Sequence, residues 1–232
     1  MVSAILVAAG SGTRFGPDRD KLFLEVAGRP VVAHTWSRLD AVPALGEIIV
    51  VVRAGMEPAF EELAAALAPR LPWRLVPGGP ERQDSVWNGL QATSPDCEWV
   101  AVHDAARPCT PVGTVLDTLA AAREAGAAVT AQRVTDTIKE SGDGRWIEHT
   151  LDRSRLWAVQ TPQIFRRSLL ERALEAVKLA GLRVTDDTAA CEHIGQRVRL
   201  VESRAPNPKV TYPGDVPYIE WLLRAAGSAT GQ

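Results

Sequence analysis

The fold is decided by Ser3-Ala-Ile-Leu-Val-Ala-Ala-Gly-Ser-Gly-Thr-Arg-Phe-Gly16, with Lys21 shortly after it. Ser3 to Ala9 is small, apolar and partly β-branched, the composition of a buried strand. Gly10 and Gly12 free the backbone for a sharp turn, and Arg14 and Lys21 bring two cations to it. A strand opening into a Gly-rich cationic loop suits a polyphosphate, because bare N–H groups and positive side chains both face the anion. Neither common phosphate fingerprint is present. There is no G-x-x-x-x-G-K-[ST], and G-x-G-x-x-G fails at Phe15. On this stretch alone, a plain strand-loop connection with scattered charges stays open.

Working outward, strands and helices alternate. Pro30 to Leu39 reads as a helix with Pro in its first turn. Glu47 to Arg53 reads as a strand buried on both faces. Met56 to Ala68 is a helix, Trp73 to Pro77 a strand, and Glu81 to Thr93 a helix entered through the turn Pro77-Gly-Gly-Pro80. Trp99 to His103 is a strand ending at Asp104. Pro111 to Ala125 is a helix and Ala127 to Gln132 a strand. This rhythm predicts a mostly parallel α/β sheet, Rossmann-like, with helices on both faces. Ligands in such folds sit beyond the carboxyl ends of the strands, where loops 10–16, 77–82 and 104–108 fall.

Near residue 133 the rhythm changes. Val134 to Lys139 and Trp146 to Leu151 flank the turn-forming Ser141-Gly-Asp-Gly-Arg145, which predicts a projecting β-hairpin at about 133–155. A lone hairpin is marginal in water. One carrying Ile138, Trp146, Ile147 and Leu151 is expected to pack on something: a second subunit most simply, or its own domain. Leu156 to Gln160 returns to strand. Helices are expected at Arg166 to Ala180 and Asp186 to Ile194, and a strand at Arg197 to Glu202. Lys209 to Thr211 reads as extended, Pro213 to Arg224 as the last helix, and Gly227 to Gln232 as a frayed tail. No linker divides the chain, so 1–232 is expected to be a single domain with an arm.

The 232 residues are 46% hydrophobic and 23% charged, an ordinary globular composition, and the net charge of −2 rules out a broad basic field for nucleic acid. Cys97, Cys109 and Cys191 fit neither a disulfide framework nor a zinc site, which points to a reducing cytoplasm. Met1 to Ala9 lacks a basic leader, and no apolar run reaches the roughly 18 residues of a spanning helix. A membrane partner is therefore not expected.

Covalent chemistry has few candidates. There is no G-x-S-x-G and no H-E-x-x-H, and His34, His103, His149 and His193 lack metal spacing. His103, beside Asp104, is read as structural, and Cys109 as an inert thiol. What the chain does offer is cations on strand-end loops: Arg14, Lys21, Arg82, Arg107, Arg153 and Lys209. Charge neutralisation without a covalent nucleophile is what phosphoryl or nucleotidyl transfer requires. Asp104 suits a ribose hydroxyl, or a divalent metal held mostly by phosphates; a turn carboxylate is the plain alternative.

Ala8-Ala-Gly-Ser-Gly-Thr-Arg14 with Lys21, Gly78-Gly-Pro-Glu-Arg-Gln-Asp-Ser-Val86, Val102-His-Asp-Ala-Ala-Arg-Pro108, Asp136-Thr137, Thr161-Pro-Gln163, Val184-Thr-Asp-Asp187 and Lys209-Val-Thr-Tyr-Pro213 together resemble the 2-C-methyl-D-erythritol 4-phosphate cytidylyltransferase family. The likeness runs in order from about Ser3 to Leu223. It implies transfer of CMP from CTP to the polyol phosphate, with Mg²⁺, in the non-mevalonate route to isoprenoids. It implies that Arg14 and Lys21 neutralise the triphosphate, and that Ala8, Ala9, Gly10 and Gly12 line the nucleotide with backbone groups. Gly79 and Ser85 would read cytosine. Ala105 would lie by the ribose, and Asp104 by the ribose or Mg²⁺. Arg153 and Lys209 would hold the methylerythritol phosphate, helped by Thr137, Thr161 and Thr185. The resemblance also implies a homodimer through the arm, with Thr137 and Arg153 serving the partner's site. Pro80 departs from the family, standing where many relatives carry Asp; it offers neither a side-chain acceptor nor an N–H. No second enzyme is expected after residue 225. Two rivals remain: a cytidylyltransferase for another polyol phosphate such as ribitol 5-phosphate, and a non-catalytic nucleotide-binding regulator.

Overall fold

Two runs, Glu47–Val52 and Trp99–Asp104, are buried at every position. Strands without an exposed face need cover on both sides, and they flank the N-terminal strand Val2–Ala8 at the centre of one sheet. The computed structural model describes residues 1–10, 15 and 20–229. In chain order the elements are β1 (Val2–Ala8), β2 (Glu25–Val26), β3 (Arg29–Pro30), α1 (Val31–Asp40), β4 (Glu47–Val52), α2 (Glu57–Leu67), β5 (Trp73–Pro77), α3 (Arg82–Gln91) and β6 (Trp99–Asp104). They continue as α4 (Val112–Ala125), β7 (Ala127–Arg133), β8 (Lys139–Glu140), β9 (His149–Thr150), β10 (Trp157–Arg166), α5 (Arg167–Leu179), α6 (Asp187–His193), β11 (Arg199–Glu202) and α7 (Val216–Ala229).

The main sheet runs β11-β7-β10-β6-β1-β4-β5. β1 is parallel to β4 and β6, β4 to β5, and β7 to β11; β10 is antiparallel to both its neighbours. The mostly parallel α/β sheet expected from the sequence is therefore present. Alternation along the strands splits the core in two. Ala4, Leu6, Ile48 and Val50 face a cluster with Trp36, Phe60, Leu119 and Ile219, whereas Ile5, Ile49 and Val51 face Val86, Leu90, Leu170 and Ala190. Helices α1, α2, α4 and α7 thus cover one face, and α3, α5 and α6 the other. The carboxyl ends of β1, β4, β5 and β6 share one edge, and the cleft lies there.

Three differences from expectation have physical reasons. β10 does not stop at Gln160 but continues to Arg166, with a register shift between Val159 and Gln163. The shift contains Pro162, joined to Thr161 by a cis peptide. Proline cannot donate to a ladder, so the strand reads as ending where it only bulges. The hairpin is paired only at Lys139–Thr150 and Glu140–His149, because Asp143 Oδ1 accepts the N–H groups of Arg145 (2.8 Å) and Trp146 (3.1 Å) and curls the tip. Lys209 to Thr211, read as extended, lies in no helix or turn, and Val210 N–H donates to the Ala106 carbonyl at 2.8 Å. The small β2–β3 hairpin, turned at Ala27 and Gly28 with positive φ, went unread because each strand has two residues.

Candidate active site

A cleft of about 400 Å³ opens at the carboxyl edge. Ala8, Ala9 and Gly10 from the end of β1, Gly79 and Ser85 from the turn into α3, and Lys21, Asp104 and Lys209 all line it. The sequence reading named each of them. Gly12 and Arg14 lie outside the described residues.

The wall after β5 is built on close approach. A Cβ on Gly78 would meet the Ala9 Cβ, and one on Gly79 would meet the Asp84 Cβ, so glycine is required at both positions. Gly78 N–H donates to the Val52 carbonyl at 2.8 Å. Ser85 Oγ accepts the Gly79 N–H and donates to the Glu81 carbonyl, both at 3.1 Å, while Glu81 N–H donates to Asp84 Oδ2 and closes the first turn of α3. Pro80 sits exposed on this lip. Arg183, which the sequence reading missed, crosses to it and pairs with Glu81 at 2.6 Å. Nothing local marks Arg183; only the fold brings residues 81 and 183 together.

The opposite wall is an electrostatic cage around Asp104, which is buried at the end of β6. Lys209 Nζ lies 2.8 Å from Asp104 Oδ2, and the Arg82 and Arg107 Nε atoms lie 3.6 Å from its two oxygens. Burial alone would raise this carboxyl. Lys209, Arg82 and Arg107 outweigh it and hold the group well below the usual carboxylate range. Arg82 also binds Asp187 Oδ2 at 2.8 Å. Burial pushes the Asp187 carboxyl up, and Arg82 opposes that only in part. Asp104 N–H donates to Thr161 Oγ1 at 3.0 Å, so buried Thr161 supports the strand end from beneath. Lys21 Nζ donates to the Val210 carbonyl at 3.1 Å.

Other anticipated residues lie elsewhere. Ala105 is fully buried under the floor; its N–H donates to the Val7 carbonyl and its carbonyl accepts from Thr35 Oγ1. Its neighbour Ala106 lines the cleft instead. Thr185 is exposed near Arg183 and does not line the cleft. Thr137 and Arg153 are exposed and also outside it, with Arg153 Nη1 donating to the Thr135 carbonyl. His103 is buried against Thr110 Oγ1, and burial pushes its pKa down to about 4, so it is neutral. Burial pushes the Cys109 thiol up to about 11, as an inert thiol requires. Among the described residues there is no group of three or more His, Cys, Asp or Glu that could hold a metal. Asp104, ionised and with Oδ1 3.6 Å from Arg82 Nε, fits a hard cation whose remaining ligands are phosphates and water.

The family model described as 2-C-methyl-D-erythritol 4-phosphate cytidylyltransferase (IspD) matches residues 2–225. The protein of that name from Geobacillus kaustophilus is 42% identical over 220 residues, covering 95% of this chain and 96% of the relative. The crystal structure of 4-diphosphocytidyl-2C-methyl-D-erythritol synthase from Anaerococcus prevotii matches with a TM-score of 0.84 at 31% identity, covering 96% of this chain and 98% of that one. The 2-C-methyl-D-erythritol 4-phosphate cytidylyltransferase of Thermus thermophilus matches with a TM-score of 0.79 at 33% identity, covering 97% and 100%. With a nucleotide-sized cationic cleft at the carboxyl edge of a matching sheet, the chain belongs to the 2-C-methyl-D-erythritol 4-phosphate cytidylyltransferase family and is a nucleotidyltransferase.

Proposed function

We propose that the cleft transfers CMP from CTP to 2-C-methyl-D-erythritol 4-phosphate, giving 4-diphosphocytidyl-2-C-methyl-D-erythritol and pyrophosphate in isoprenoid precursor synthesis. The observation that carries the site assignment is the convergence of Lys21, Lys209 and Arg82 with the Gly78-Gly79 turn around one cleft. Arg14 and Lys21 neutralise the triphosphate, and backbone groups of Ala8, Ala9, Gly10 and Gly12 serve the nucleotide. Gly79 and Ser85 read the cytosine edge; Pro80 itself contributes neither a carboxylate nor an N–H to that reading. Asp104 holds the ribose, and its donor chemistry also suits a magnesium ion carried by the nucleotide phosphates. That ion, when bound, supplies further neutralisation at the α-phosphorus.

The acceptor's phosphate is already anionic at neutral pH and needs no general base, in keeping with a neutral, buried His103. Its attack is opposed by like-charge repulsion, which Lys209 lowers from one side and Arg153 from the other. Thr137 and Thr185, exposed outside the cleft of a single chain, add hydrogen bonds to the acceptor, and buried Thr161 supports the site from beneath through Asp104. Arg153 and Thr137 come from a second subunit of a homodimer joined by arm 133–155. The exposure of Trp146 (77%) and Ile147 (66%) on that arm supports this, because isolated large apolar tips are unfavourable in water. The rest of the chain acts as one nucleotidyltransferase domain. A cytoplasmic setting is supported by three free cysteines, and no helix among the described residues is long and apolar enough to cross a membrane. The test is pyrophosphate release with Mg²⁺ across CTP, UTP, methylerythritol phosphate and ribitol 5-phosphate. Turnover restricted to CTP with methylerythritol phosphate is expected, and preference for ribitol 5-phosphate would overturn the acceptor assignment.

A further inference from the structure

We propose that Asn207 is a positioning residue that sets Lys209 against the reacting phosphates, an inference that rests on the role given to Lys209 above. The segment Ala205-Pro-Asn-Pro-Lys209 has two prolines without N–H groups, and Pro208 restricts Asn207 to extended backbone. Such a segment cannot dock by a strand ladder, so something else must fix it.

Asn207 is 1% exposed and takes over that work. Its Oδ1 accepts from Thr110 Oγ1 at 2.7 Å, its Nδ2 donates to the Thr161 carbonyl at 2.9 Å, and its own carbonyl accepts from Arg107 Nη1 at 2.7 Å. One side chain and one carbonyl therefore tie three parts of the carboxyl edge together: the loop after β6, the bulge of β10, and the segment carrying Lys209. Two of these partners also hold Asp104. Thr161 Oγ1 accepts the Asp104 N–H, and Arg107 Nε lies 3.6 Å from Asp104 Oδ2. The carboxylate and the ammonium that pairs with it are thus placed from the same two residues. Immediately beyond Lys209, Val210 N–H is bound to the Ala106 carbonyl. Lys209 lies between two anchored neighbours, and its Nζ has little freedom but to rotate about its own stem.

A buried asparagine that only closed a loop would affect stability alone. A positioning residue acts through Lys209, and the two roles separate in a double-mutant comparison. Asn207→Ala is made in the wild-type and Lys209→Ala backgrounds, with kcat, KM for CTP and Tm measured for each. In the wild-type background kcat is expected to fall about 10- to 100-fold, the scale of a misplacement near 1 Å. In the Lys209→Ala background the same change is expected to cost less than about threefold, while the loss in Tm stays the same in both. Equal fold-losses of kcat in the two backgrounds would overturn the proposal and leave Asn207 a structural residue. If Asn207→Ala does not fold, Thr110→Val removes one donor from Oδ1 and is compared in the same two backgrounds, with a smaller loss that must likewise vanish without Lys209. A Lys209→Ala enzyme of near-normal kcat would sink the role of Lys209 itself and this proposal with it; equal losses beside an impaired Lys209→Ala sink this proposal alone.

Discussion

His103 gives a test in which stability and catalysis should part company. It is 1% exposed, and its pKa is pushed from 6.5 to about 4 by burial. The sign follows from the depressed value. The fold favours the neutral ring, so the stabilisation is complete above pH 6.5, where the unfolded chain is also neutral. It is lost as pH falls from 6.5 towards 4, because there the unfolded chain takes up a proton that the fold refuses. The full shift corresponds to about 3 kcal/mol, of which about 2.5 kcal/mol is lost by pH 4.5. The perturbation is His103→Gln, which keeps the size of the group and can still bond Thr110 Oγ1. The assay is denaturant unfolding of both proteins at pH 7.5 and 4.5. Asp104, held well below the usual carboxylate range, stays ionised at both pH values, and the remaining carboxylates contribute to both proteins and cancel in the difference. Wild type should lose about 2.5 kcal/mol more than the variant. Equal acid sensitivity would refute the burial argument. The same variant tests the mechanism, since a phosphate nucleophile needs no base. His103→Gln should keep kcat within about tenfold, whereas removing a true general base costs on the order of 10²–10⁴.

Three further outcomes are expected. Lys21→Ala should lower kcat by about 10²–10³ with the fold intact, as for loss of one preorganised charge; normal turnover at saturating CTP would remove Lys21 from the triphosphate site. Co-expression of Arg153→Ala and Lys21→Ala subunits should restore about a quarter of wild-type activity, because half the dimers are mixed and each has one intact site built from both chains; no recovery above the separate variants would place Arg153 in its own subunit's site. Asp104→Asn keeps the shape of the carboxylate but removes the counter-charge that faces Lys209 and Arg107, while Arg82 keeps its bond to Asp187. Breaking a buried pair costs about 3–5 kcal/mol, and the partial exposure of Lys209 reduces this to about 2 kcal/mol. Calorimetry should show Tm lower by about 4–8 °C, and an unchanged Tm would mean that the cage is not held by charge.

The sequence yielded the sheet because its strands are short, β-branched and buried on both faces, as Glu47–Val52 shows. It yielded the cleft's glycine turn because Gly78 and Gly79 are adjacent and precede a helix start. It could not yield the partnership of Asp104 with Lys209, which are 105 residues apart and meet only through the order of the strands. Arg183 and Asn207 were illegible for the same reason: one is an exposed loop cation, the other a single asparagine between prolines, and each acquires meaning from a distant partner. β10 was truncated in the reading because Pro162 is a strand-breaking signal, and that signal cannot tell a bulge from an end.

The contact between Gly78 and Ala9 has a consequence for the shape of the site. β1 and β5 are separated in the sheet by β4, and at about 4.8 Å per strand their ends start roughly 10 Å apart. Ala9 and Gly78, the residues that directly follow them, approach each other over the end of β4, where Gly78 is bound to Val52, until the Ala9 methyl fills the space a side chain at 78 would need. The approach of the chain ends leaving β1 and β5 is therefore set by one methyl group against one glycine at the sheet edge. A side chain at 78 would meet the Ala9 Cβ and the Val52 carbonyl, so the backbone at this edge would have to shift to admit it. Changing what fits this end of the cleft means moving strands, not trimming side chains.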